Sequence, residues 1–133
     1  MSKQRIVEQF KDDWFKQPHL MICFAIFDYL FDERNKNLAY ITYASLRKVV
    51  KKDYSDRELL ETIQYLCGDR THLLEARFEL IEHDKHFDIS NSELIEARQT
   101  GELLHPETGE FINDFKDKVS MYFQPSPLVK SLI

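Results

Sequence analysis

His83 and His86 flank Asp84 in an H-x-x-H spacing, the tightest gathering of imidazole and carboxylate in the chain. Those are zinc-type donors, but zinc requires three or four ligands in fixed geometry. A polar hairpin turn, which HDKH resembles, does not preorganise two rings as a helix does, and a solvated turn is the plainer account. The second chemistry-bearing group is basic: Arg47, Lys48, Lys51 and Lys52. Such a cluster could contact nucleic-acid phosphates or an acidic protein patch. The competing account is a solvated helix face, with Lys51 and Lys52 placed near a helix C-terminus where cations are favourable.

Asp28 lies inside the apolar run LMICFAIFDYLF, and a partly buried, hydrogen-bonded carboxylate is expected there. Cys23 and Cys67 are the only cysteines, both within apolar helical patterns and without C-x-x-C spacing, so buried thiols are expected and zinc is not. The chain contains no G-x-S-x-G, no P-loop and no H-E-x-x-H. The expectation is therefore a protein that is not an enzyme and uses no cofactor.

These residues must be held by elements, and periodicity marks them. Ile6, Val7, Phe10 and Trp14 recur at helical spacing before Pro18 breaks the pattern. Residues 20–31 are apolar nearly all round, as in a central or interface helix. Residues 38–41 read as a short strand, and Thr42 as the N-cap of a helix carrying Leu46, Val49 and Val50. After a break at Asp53 and Tyr54, Ser55 and Glu58 form a capping box. The helix behind them should bury Leu59, Leu60, Ile63, Leu66 and Cys67 and stop at Gly68.

Leu74, Ala76, Phe78 and Leu80 then alternate with Glu75, Arg77 and Glu79, the period of a half-buried strand with the first set inward. A turn at residues 83–86 leads to a return strand with Phe87 and Ile89. Ser90 and Glu93 open a further helix ending near Gly101, residues 105–110 are turn-like, and residues 119–124 alternate as a last strand. The apolar tail after Pro125 and Pro127, residues 128–133, must dock back or bind something else.

At 133 residues, with 43% hydrophobic and 31% charged side chains, the chain fits one globular domain with a sizeable core. Only 3 Gly and 4 Pro argue against a turn-rich β sandwich, while 10 Phe and 6 Tyr supply core volume. The net charge of −5 is uneven: residues 1–66 hold 11 Lys and Arg against 10 Asp and Glu, and residues 67–133 hold 7 against 13. The acidic second half disfavours broad contact with phosphate backbones and suits a protein partner. MSKQRIVEQF lacks the apolar region of a signal peptide, and the longest apolar run, residues 20–27, is too short to cross a bilayer, so a cytoplasmic protein is expected.

The order strand, helix, helix, hairpin over residues 38–89, preceded by the helix at 20–31, resembles the winged helix-turn-helix superfamily. The segments carrying the resemblance are LAYIT, TYASLRKVVKK, the turn DYSD, SDRELLETIQYLC and LLEARFELIEHDKHFDI. They cover about half the chain and match in pattern rather than through a diagnostic motif. The implied fold is α+β: a winged-helix core at 18–90, an N-terminal helix within 1–17 and a C-terminal α/β extension at 91–133, all in one domain. The resemblance makes residues 55–67 the recognition helix and residues 83–86 the wing tip.

DNA-binding members place donors on that helix. Here the outward positions are Arg57, Glu58, Glu61, Thr62, Gln64 and Tyr65, and the hairpin adds Glu75, Glu79, Glu82 and Asp84. An acidic reading face points to a protein-interaction module, an adaptor or accessory subunit whose partner, or second copy, meets Arg57, Glu58, Glu61, Gln64 and Tyr65. The alternative is a small dimeric DNA-binding regulator using Arg47, Lys48, Lys51, Lys52 and Arg57 on the backbone.

Overall fold

The structure, a computed structural model, describes residues 1–112 and 114–133. It is α+β and divides into two compact units. Residues 1–75 with 123–133 form the first, and residues 76–122 the second. The boundary runs through the strand that opens the expected wing, so the segment 18–90 is shared between the units.

In the first unit, α1 (Lys3–Asp13) and α2 (His19–Phe31) precede a 3-10 turn at Glu33–Asn35, α3 (Tyr43–Val49) and α4 (Asp56–Cys67). The caps follow the local sequence. Thr42 and Ser55 each accept from the N–H three residues on, and both form reciprocal capping boxes. The apolar helix α2 is the central element, packed by α1, α3 and α4. Its residues Ile22, Cys23, Ile26 and Leu30 meet Ile6, Phe10, Leu46, Leu59 and Leu66 in a buried core. Phe10 stands edge-on to Phe24 and Phe27, with centroids 6.2 and 6.1 Å away.

Three expectations change here, and one that the sequence left open is decided. Asp28 is exposed, not buried, because the buried stripe of α2 falls on the opposite side. The strand expected at residues 38–41 shrinks to one bridge, Ile41 to Phe123, held by N–H···O bonds of 2.8 and 2.7 Å. At the other end of the segment the Leu38 N–H is spent on the Asn35 carbonyl rather than on a strand partner. On α4, Leu60 is exposed and Thr62 is buried. Leu59, Ile63 and Leu66 set the inward stripe, Thr62 lies within it, and its hydroxyl is satisfied by the Glu58 carbonyl at 2.8 Å. The C-terminal tail docks back: Ser126 N–H bonds to the Leu73 carbonyl, and a short α7 (Pro127–Leu132) buries Val129, leaving Ile133 half-exposed.

Between α4 and α7 the chain builds β1 (Leu74–Glu82), β2 (Lys85–Ile89), α5 (Asn91–Thr100), β3 (Leu103–Leu104), β4 (Phe111–Ile112), α6 (Phe115–Lys118) and β5 (Val119–Pro125). The sheet order is β2-β1-β5, with β1 and β2 antiparallel and Phe78 opposite Ile89. The β1–β2 turn is a two-residue one, with His83 and Asp84 both at positive φ (51° and 65°), as a right-twisted hairpin favours. Leu80, Ile89, Leu94, Ala97, Leu103, Ile112 and Phe115 form the second unit's core, with Phe78 partly buried against it.

Phe78 and Leu80 thus share the core face as expected, but Glu79 does not face water. Its side chain is 6% exposed and lies 3.2 Å from His86 Nδ1. Tyr122 is buried as well and donates to Asp88, the cross-strand partner of Glu79. Alternation assigns a side chain to a face but does not decide whether that face is covered.

Candidate functional site

The sequence directs attention to the outer face of α4. Arg57, Leu60, Glu61 and Gln64 stand at i, i+3, i+4 and i+7 and form one exposed stripe. Leu60 is 46% exposed at its centre. Glu61 lies 3.8 Å from Arg57 and 3.4 Å from His19 Nε2. Glu58, expected in this face, is committed to the helix start: its carboxylate accepts from the Ser55 N–H at 2.8 Å, which lowers its pKa.

Tyr65, also expected in the face, turns away from it. Its hydroxyl donates to Asp13 at 2.5 Å, and its ring meets Trp14 edge-on at 5.3 Å and Phe10 at 6.3 Å. Asp13 is the hub of this corner. It also accepts from Arg70 Nη2 at 2.7 Å, Arg70 Nε at 3.2 Å and Gln9 at 2.9 Å. The Arg70 guanidinium is the main reason its carboxyl is held below the ordinary range. Burial, then the bond to Asp13, drives the Tyr65 phenol upward. Nearby, His19 stacks on Trp14 with centroids 4.2 Å apart and planes 12° from parallel.

Residue spacing alone does not reveal this cluster. One signal was present: Asp13 ends α1, where the helix dipole disfavours an anion, so a carboxylate there calls for cationic or donor partners. Of the two thiols expected to be buried, Cys23 is, while Cys67 at the end of α4 is only partly covered. Burial raises Cys23 to about 12 and Cys67 to about 11.

The basic cluster separates into two roles. Arg47 is half-buried, and its guanidinium donates to the Lys51 and Tyr54 carbonyls at 2.9 and 2.8 Å, with Asp56 at 3.5 Å. It ties the α3–α4 turn together. Lys48, Lys51 and Lys52 are exposed. His83 and His86 sit at and beside the tight turn, with His86 directed to Glu79. Among the described residues, no three His, Cys, Asp or Glu side chains gather as a metal-ligand set. No described helix is long and apolar enough to cross a membrane.

The chain matches no family model, no curated protein and no solved structure.

Proposed function

We propose that the chain is a protein-interaction module of winged-helix type, an adaptor or accessory subunit that presents α4 to its partner. The order α2, α3, α4 and the β1–β2 hairpin, with capping boxes opening α3 and α4, supports the winged-helix reading. The observation that carries the function is the exposed stripe of α4. A half-exposed leucine ringed by Arg57, Glu61 and Gln64 has the make-up of a small protein interface, with an apolar centre and a polar rim. A phosphate-reading helix is served better by donors alone.

The test uses the whole chain as bait in lysate of its source cells, beside a Leu60→Asp variant whose helicity is checked by circular dichroism. Recovery of one stoichiometric partner by the wild type, and its loss from the variant, is the expected result. A monomeric wild type that retains nothing, or a partner indifferent to Leu60→Asp, overturns the proposal. The DNA-binding alternative rests on exposed Lys48, Lys51, Lys52 and Arg57. It gains ground only if random duplex DNA is shifted at low salt and Lys48/Lys51/Lys52→Glu abolishes the shift.

A further inference from the structure

The second unit carries a notch of about 360 Å³ between α5 and the β3–β4 hairpin. Its walls are apolar. Leu104 and Phe111 face each other as cross-strand partners and are 52% and 64% exposed, while their neighbours Leu103 and Ile112 are buried. Its rim is acidic: Glu93 and Glu96, one helical turn apart on α5, and Glu102 just past the helix end. Among the described residues none of these three carboxylates has a cationic partner, unlike Glu61 with Arg57 and Glu82 with Lys118.

The loop that joins β3 to β4 is fixed by hydrogen bonds of its own. His105 Nδ1 accepts from the Glu107 and Thr108 N–H groups at 3.1 and 3.3 Å. The His105 carbonyl takes the Gly109 N–H at 2.9 Å, and Gly109 supplies the positive φ of 73° that the turn needs. The walls therefore stand in place before any ligand arrives, which lowers the ordering cost of binding.

We infer that this notch binds an arginine-bearing, apolar segment of a partner protein, with the guanidinium seated among Glu93, Glu96 and Glu102 and the flanking apolar side chains on Leu104 and Phe111. Charge complementarity selects a cationic occupant. Arginine fits better than lysine because its planar head can pair with carboxylates in a fork and lie on the Phe111 ring, while its stem covers Leu104. A notch of this size admits one or two side chains, not a folded domain. The inference concerns the second unit only and does not depend on the α4 proposal.

The probe is a fluorescein-labelled heptapeptide, Gly-Leu-Arg-Leu-Arg-Leu-Gly, titrated with the full chain by anisotropy at low salt, beside peptides with Gln or Lys in place of Arg. The expected Kd is on the order of 10–100 µM, weakened by salt. The Glu93/Glu96/Glu102→Gln variant should bind at least about tenfold more weakly. Phe111→Ser, which removes an exposed ring, should weaken binding about as much. A Glu8/Glu33→Gln control lowers the net negative charge elsewhere and should leave affinity within about twofold.

Amide shifts on titration should centre on Ala97, Leu104 and Phe111. The inference is overturned by absence of binding at millimolar protein or by equal loss in the control, which means non-specific attraction to an acidic chain. It is also overturned by a Gln peptide that binds as well as the Arg one, by shifts outside residues 93–111, or by concentration-dependent self-association lost in the same variants. That last result identifies a second copy as the occupant.

Discussion

Tyr65→Phe isolates one bond in the Asp13 corner. The substitution removes only the hydroxyl and keeps the ring against Phe10 and Trp14. A hydrogen bond to a charged group contributes about 1.5–3 kcal/mol. Asp13 is 17% exposed and keeps Arg70 and Gln9, which puts the expected loss at the lower end, about 1.5 kcal/mol. In a unit of this size that is a fall in Tm of roughly 8 °C. Urea melts at pH 7 of the wild type, Tyr65→Phe, Asp13→Asn and the double variant close a cycle, with a coupling of about 1 kcal/mol expected.

The dependence on pH follows from the two shifts. The folded Asp13 carboxyl titrates below its ordinary value of 3.8, so the stability it contributes is present above that value and is lost as pH falls through the lower folded one. The folded Tyr65 phenol titrates above its ordinary value of 10.0, so its contribution is present below pH 10 and is lost as pH rises further. The penalty for Tyr65→Phe should therefore be flat from about pH 5 to 9 and shrink at both ends. A penalty below 0.5 kcal/mol, or the same penalty with and without the Asp13 carboxylate, would falsify the account.

In the hairpin, Leu80→Ala should cost about 3–4 kcal/mol because Leu80 is completely buried, whereas half-buried Phe78→Ala should cost about 2 and Arg77→Ala no more than about 0.5; thermal melts that rank Arg77→Ala above Leu80→Ala contradict the register. Asp84→Gly relieves a side chain at φ 65° and should raise stability by about 0.5–1 kcal/mol, read as a higher urea midpoint. Cys23 and Cys67, with thiols raised to about 12 and 11, should react with a chromogenic disulfide at pH 8 far more slowly in the native chain than in denaturant, and equal rates mean that one or both are not buried.

What could be read from sequence was local. Thr42 and Ser55 cap helices because each side chain reaches an N–H only three residues away, and the paired strands 74–82 and 85–89 follow from alternation across a tight turn. The class α+β follows from those periods. The outward side of α4 was legible only in part. Arg57, Glu61 and Gln64 face outward as expected, but Leu60 and Thr62 exchange places. A helix with apolar residues at both 59 and 60 does not say which of the two its neighbours cover.

Tertiary structure alone decided the rest. Asp13 reaches Tyr65 and Arg70 across 52 and 57 residues of chain, and no short-range pattern records that meeting. Burial of Glu79, exposure of Asp28, return of the tail onto Leu73 and division of the chain at residues 75 and 122 are of the same kind. Caps and periods act within one or two turns of backbone. Which face is covered depends on groups distant in sequence, and their hydrogen bonds and apolar contacts exist only once the chain has folded.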